Sequence, residues 1–214
     1  MSNNIIYSNR GMAWESFIEF ANNCYKKDGI AVIEKQPTPF KPLWDKRKKK
    51  IANCKVEEKA TVDYIGRYYN VPVAIEAKNS TKDTITFDRV KSHQQDFLEA
   101  YSKDDYGFSG VLVSFKMERF FLVPWIFWKA AVKAWEEMSW EKKIKGKSNK
   151  ICVKVEYKGQ TWITPGKASV RVDELLPEWE IHTDRRLGLP YLNKIDGYMN
   201  VVKSDVLEIN GKLL

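Results

Sequence analysis

The residues of this chain best suited to chemistry gather in one stretch: Asp63, then Glu76-Ala77-Lys78. Glu76 and Lys78 are two apart in a segment of strand character that begins Val71-Pro72-Val73-Ala74-Ile75. Their side chains should therefore share one face, while Ile75 and Ala77 point to the other. Asp63 belongs to the preceding strand, Val62-Asp63-Tyr64-Ile65, and a hairpin turning near Gly66 to Asn70 would set it beside Glu76. Two convergent carboxylates with open positions suit Mg²⁺, which takes a few carboxylates together with water and phosphate oxygens. Mn²⁺ is expected to substitute. An ion so held polarises a scissile phosphate and lowers the pKa of a bound water, and a lysine beside it balances charge growing in the transition state. Asp63, Glu76 and Lys78 are thus candidates for phosphodiester hydrolysis. The same spacing also arises as an ordinary cross-strand pair on a sheet surface, so the surrounding elements have to decide.

Those elements interleave. Met12 to Lys26 reads as an amphipathic helix, with Trp14, Phe17, Ile18, Ala21 and Tyr25 at helical spacing. Asp28-Gly29 turns the chain into a strand, Ile30 to Ile33, which Pro37 and Pro39 stop. Residues 41–59 are polar and centred on Lys46-Arg47-Lys48-Lys49-Lys50; they read as a protruding arm between two strands, with Trp44 packing its base or stacking on an unpaired base. Thr61 to Lys78 returns to strand character, Asn79 to Thr86 is a polar loop, and Asp88 to Tyr101 is a helix with Asp88 as its cap. Strands follow at Gly110–Phe115 and Phe120–Val123, and Pro124 opens a helix through about Met138. The aromatic stretch from Phe120 to Trp140, including Phe121, Val123, Ile126 and Trp128, is assigned to core and dimer packing. Residues 142–150 read as a basic linker, and 151–164 as a hairpin turning at Lys158-Gly159. This order predicts an α/β fold with a mixed central β-sheet flanked by helices. The expected organisation is a single domain over 1–214, with an arm at 41–59 and an added linker and hairpin at 142–164.

Composition narrows the function classes. Hydrophobic residues make up 43% of the 214, which suits a folded core. The longest apolar run, Phe120 to Trp128, is about half of the roughly 20 residues a membrane span needs, and Pro124 interrupts it. Met1-Ser2-Asn3-Asn4 lacks the pattern of a secretory signal, so a cytoplasmic location and no membrane partner are expected. Three cysteines and two histidines make a disulfide framework or a zinc centre implausible. The net charge of +8 points to a polyanion such as nucleic acid. The basic arm would neutralise several phosphates, giving salt-sensitive, sequence-tolerant binding.

Asn9-Arg10-Gly11-Met12, Glu15, Lys35-Gln36-Pro37-Thr38-Pro39, Thr61-Val62-Asp63-Tyr64, Glu76-Ala77-Lys78 and His93-Gln94 follow in this order, and Gly188-Leu189-Pro190-Tyr191-Leu192-Asn193-Lys194-Ile195-Asp196 comes near the end. The ordered set resembles the Holliday junction resolvases of the RecU type, within the PD-(D/E)xK nuclease superfamily, and spans nearly the whole chain. The resemblance implies a restriction-endonuclease-like fold and a homodimeric, Mg²⁺-dependent endonuclease. Such an enzyme nicks opposite strands of a four-way DNA junction symmetrically, in recombination and repair. It leaves a recombinase or branch-migration machinery open as a further partner. It also implies Asp63 and Glu76 as metal ligands, Lys78 as the transition-state lysine, Thr61 and a glutamine of the following helix near the metal, and Glu15 as the acid of the first helix. Arg10 and the residues Lys46, Arg47, Lys48, Lys49 and Lys50 become candidate DNA contacts, the last five on a stalk that enters the junction's centre.

Two glutamines compete. Counting from Glu76 without gaps favours Gln95; the His-Gln pair favours Gln94. Helical geometry prefers Gln94, which falls amid Val90, Phe97, Leu98 and Tyr101 on the inward face, where a polar group needs a partner. The chain departs from the family pattern at Val62, where Thr-Thr-Asp is usual, and in the additions over 142–164. Two other readings stand beside the resolvase: a PD-(D/E)xK nuclease specific for flaps or duplex ends, and a non-catalytic DNA-binding modulator of recombination. Intact Asp63, Glu76 and Lys78 argue against the last.

Overall fold

The computed structural model describes residues 3–37, 40–45, 47–48, 50–56, 61–146, 150–199 and 201. Helix α1 (Asn3–Lys27) leads into β1 (Ala31–Lys35), then β2 (Phe40–Asp45) and β3 (Lys50–Val56). Next come β4 (Tyr64–Tyr68), β5 (Val71–Ser80), β6 (Thr84–Thr86) and α2 (Ser92–Tyr101). The chain continues through β7 (Phe108–Phe115), β8 (Arg119–Pro124) and α3 (Trp125–Lys145). The remaining strands are β9 (Lys154–Tyr157), β10 (Gln160–Ile163), β11 (Ser169–Arg171) and β12 (Glu180–Ile181). Six strands form the central sheet in the order β1-β4-β5-β7-β8-β12. Its β5–β7 pair is parallel and its other pairs are antiparallel. The parallel step needs a crossover, and α2 supplies it. The fold is therefore the mixed α/β sheet with flanking helices that the interleaved pattern predicts.

The core follows from which strands are covered. β7, Phe-Ser-Gly-Val-Leu-Val-Ser-Phe, is buried along its whole length, as expected of a central strand with both faces packed. Helices α2 and α3 pack on β5, β7 and β8. Trp14 of α1 stacks on Phe120 of β8 with ring centroids 5.6 Å apart, and Tyr25 meets Tyr191 edge-on at 6.1 Å. The segment around Leu189 to Ile195 closes the core as a 3₁₀ turn over Tyr191–Gly197, and the Tyr191 hydroxyl donates to Asn22 Oδ1 at 2.7 Å.

Outside the sheet, β2 and β3 form an antiparallel ribbon in which Trp44 stands opposite Ile51, both exposed. Arg47 and Lys48 lie in the turn at its tip and Lys50 at the start of β3, all exposed; Lys46 and Lys49 lie outside the described residues. Strands β9 and β10 form a second ribbon. Among the described residues no helix is long and apolar enough to cross a membrane.

Several boundaries differ from the sequence reading. α1 begins at Asn3 rather than Met12. The segment from Asp88 is a 3₁₀ turn, Phe87–Arg89, and α2 starts only at Ser92, so Asp88 is not its cap. The loop expected over Asn79 to Thr86 is partly sheet, because β5 runs on to Ser80 and β6 finds a remote partner in β11. α3 continues to Lys145 through the first part of the expected linker and ends at Gly146, whose φ of 71° suits a glycine that stops a helix. Ile126 is 38% exposed and so is not a core residue, unlike Phe121, Val123 and Trp128.

Gly66 decides how closely β1 and β4 approach. A Cβ at this position would lie 2.0 Å from the Val32 carbonyl oxygen and 2.7 Å from Ile33 Cα, both backbone atoms that cannot swing away. Gly66→Ala is expected to push β1 off β4 and to cost about 3 kcal/mol in urea unfolding, toward the upper end for overpacking.

Candidate active site

β5 carries the candidate residues at the point where its partner β4 begins. The β4–β5 register ends at Tyr64 opposite Ile75, and one further step places Asp63 opposite Glu76. There the backbone ladder stops, and the Asp63 side chain continues it: Asp63 Oδ2 accepts the Ala77 N–H at 2.9 Å. The Asp63 carbonyl accepts the Gln36 N–H at 2.8 Å. Asp63 is thereby tied to the end of β1 and to the backbone of β5.

Alternation along β5 puts Ala74, Glu76 and Lys78 on the face covered by α2, and Val73, Ile75, Ala77 and Asn79 on the face toward α1. Glu76 is fully buried. Its Oε1 accepts two donors: the Lys78 ammonium, and Gln94 Nε2 at 2.7 Å. Gln94 is held from its other end, since its Oε1 accepts the Lys91 N–H at 2.9 Å and so caps the start of α2. Gln95 turns away and donates to the Val90 carbonyl at 2.9 Å. The structure therefore brings Gln94, and not Gln95, to Glu76.

Glu76 Oε2 is buried and has no hydrogen-bond partner among the described residues. Burial first, then the Asp63 carboxylate, pushes the Glu76 carboxyl up to about 7, against the lowering pull of Lys78. An unpartnered carboxylate oxygen facing a second carboxylate is an arrangement that a divalent cation would neutralise. Asp63 and Glu76 are the residues that could hold one. Among the described residues no group of three His, Cys, Asp or Glu side chains converges. Two carboxylates with the remaining positions left to water and substrate match the habit of Mg²⁺ better than an all-protein cage.

The other candidates scatter. Thr61 is exposed, two residues before Asp63, at the open end of β4. Glu15 does not reach Glu76: it pairs with Lys35 at 2.7 Å, which also meets Glu19 at 3.4 Å, and it lines a cleft on the α1 side of Asp63. Arg10 lies in α1, and its side chain is outside the described residues. Arg47, Lys48 and Lys50 belong to the β2–β3 ribbon and take no part in the Asp63–Glu76 cluster. Sequence reasoning missed the Lys35–Glu15 tie, which joins residues twenty positions apart and leaves no local signal.

Protonation of Glu76 has a thermodynamic consequence. Its folded pKa lies above its unfolded value of about 4.5, so the folded protein binds the proton more tightly. The resulting stabilisation is complete below pH 4.5 and is lost as pH rises through about 7. Without divalent cations, urea stability is expected to fall on the order of 2 kcal/mol between pH 5 and pH 8, and Glu76→Gln should flatten that slope.

Residues 9–164 match the family model for RecU, Recombination protein U. The Holliday junction resolvases RecU of Staphylococcus aureus strains JH9 and COL are each 33% identical over 137 residues, covering 59% of this chain and 65% of the relative. That of strain MRSA252 is 34% identical over the same extent. The chain thus spans just under two thirds of the length of these curated relatives. With a family match over most of its residues and a mixed sheet that carries Asp63, Glu76 and Lys78 together, the chain belongs to the RecU family.

Proposed function

We propose that this chain is a Mg²⁺-dependent endonuclease that resolves four-way DNA junctions by paired, symmetric nicks. The observation that carries the reading is the buried Glu76 carboxylate. Lys78 and Gln94 both engage one of its oxygens, and the other, beside Asp63, has no partner among the described residues. Mg²⁺, when bound by Asp63 and Glu76, supplies Lewis-acid polarisation of a phosphate oxygen and a water acidic enough to attack near neutral pH. Lys78 keeps its ammonium at the cluster, where it balances charge developing on the phosphate. Gln94 fixes the rotamer of Glu76 and so the direction of its open oxygen. Thr61, two residues before Asp63, stands at the open edge as a further contact to the metal's water shell, and Glu15 lines the cleft on the α1 side of Asp63.

The relatives named above are Holliday junction resolvases, which supports the junction as substrate. The exposed ribbon with Arg47, Lys48 and Lys50 supports it too, as a basic projection beside the site. Two symmetric cuts need two active sites, and one chain supplies one, so the working form is a homodimer.

Labelled four-way junction, linear duplex and flap, each incubated with the protein in Mg²⁺ and in EDTA, test this. Paired symmetric nicks in the junction alone, absent in EDTA, are expected. Cutting of duplex or flap alone would mark a nuclease of other specificity, and binding without cutting a modulator.

Two variants test the residue roles. Asp63→Asn should abolish cleavage while retaining junction binding. Lys78→Met should lower kcat by about 10² to 10³-fold, the usual loss when one preorganised transition-state donor is removed. Cleavage by Asp63→Asn at the parental rate would remove the basis for the assignment.

A further inference from the structure

On the opposite face of β5 from Glu76 and Lys78, a cleft of about 160 Å³ opens beside Asp63, lined by Trp14, Glu15, Lys35, Tyr64, Asn79 and Arg89 with Asp63 and Ala77. Of the two cations that line it, one is already paired. Lys35 is held by Glu15 at 2.7 Å and by Glu19 at 3.4 Å. Asp63 Oδ2 is engaged by the Ala77 amide. Arg89 is the exception. Its Nη1 donates to the Asn79 carbonyl at 2.7 Å, and among the described residues no carboxylate pairs with it. A guanidinium has five N–H donors and is always charged, so most of its binding capacity remains at the exposed rim.

The wall of the cleft is short of partners as well. Two residues lining this cleft have buried donors with no hydrogen-bond partner among the described residues: Trp14 Nε1 and Tyr64 OH. The indole N–H can only donate, and the phenol donates readily. Buried donors of this kind need an acceptor, directly or through a water.

We infer that Arg89 and this cleft bind a backbone phosphate of the DNA strand close to the scissile one. The inference rests on the nuclease reading and assigns to it a substrate-positioning residue on the 3₁₀ turn between β6 and α2. Its scale is suitable. Asn79, which anchors Arg89, lies three residues beyond Glu76, about 10 Å along an extended strand. Asp63 borders both the Glu76 cluster and this cleft, so the phosphate reached lies within a few nucleotides of the cut. Arg89 suits such a contact because its planar fork can donate to two phosphate oxygens at once.

The test is junction binding by fluorescence anisotropy in EDTA across a salt series, using the parent, Arg89→Gln and Arg89→Lys, together with a scan of junctions carrying one neutral methylphosphonate at each phosphate near the cut. Arg89→Gln is expected to weaken binding about tenfold at low salt, as for loss of one charge-assisted contact. It should also reduce the slope of log K against log salt by about one. Arg89→Lys should keep that slope, and in Mg²⁺ the loss in Arg89→Gln should appear in KM rather than kcat. One methylphosphonate position should weaken the parent equally and leave Arg89→Gln unaffected. A folded Arg89→Gln with the parental salt slope overturns the inference. So does a flat methylphosphonate scan on the parent, which decides alone should the variant fail to fold. Competition by inorganic phosphate together with a flat scan would show that the cleft takes free phosphate and not DNA. A parent that cuts junctions while failing these arms loses the inference only; a parent that binds no DNA loses the nuclease reading with it.

Discussion

A carboxylate fully removed from solvent is costly unless something compensates its charge. Glu76 has two donors on one oxygen and none on the other among the described residues. Everything around it bears on that imbalance. At Glu76, β5 is paired with β7 on one side, and on the other the Asp63 side chain takes over where the β4 ladder ends. α2 closes the face above, and the same Gln94 that caps the helix also reaches the carboxylate. Asp63 adds a second negative charge from the neighbouring strand and raises the proton affinity of Glu76. The site is thus built with a deficit of positive charge that only a proton or a cation can fill, held by the start of α2, the start of β4 and the end of β1.

The neighbouring charges divide according to strand alternation. One face of β5 presents Glu76 and Lys78, and the other presents Ala77 and Asn79. Asp63 lies at the end of β4, where it contacts the first face electrostatically and lines the cleft on the second. That position lets a single residue connect the buried cluster with a surface where Arg89, Lys35 and Glu15 gather. Lys35 is neutralised by two glutamates and serves mainly to tie α1 to β1. Such exposed pairs contribute little stability individually, but they fix which cation is left uncompensated.

The clustering of Asp63, Glu76 and Lys78 was legible in the sequence for a simple reason. Glu76 and Lys78 are two apart on one strand, so a shared face follows from the pleat, and the hairpin from Asp63 is short enough for its register to follow from its turn. The helix preference for Gln94 over Gln95 was legible too, since an inward polar side chain requires a partner. The start of that helix was not, because residues 87–89 form a 3₁₀ turn whose hydrogen bonds leave little trace in apolar periodicity. The pairing of β6 with β11 joins residues more than eighty positions apart, and no local signal carries it.

The sequence by itself therefore determined the alternation of strands and helices, the membership in the RecU family, and the face on which the acids and the lysine stand. These depend on local periodicity and on ordered motifs, which are properties of residue order along the chain. Only the tertiary structure decided that Glu76 would be completely buried, that Glu15 would be occupied by Lys35, and that, among the described residues, one Glu76 oxygen is left open and Arg89 stands at a cleft without a carboxylate partner. Those outcomes depend on how distant elements exclude water from one another, and burial is a property of the packed whole rather than of any segment.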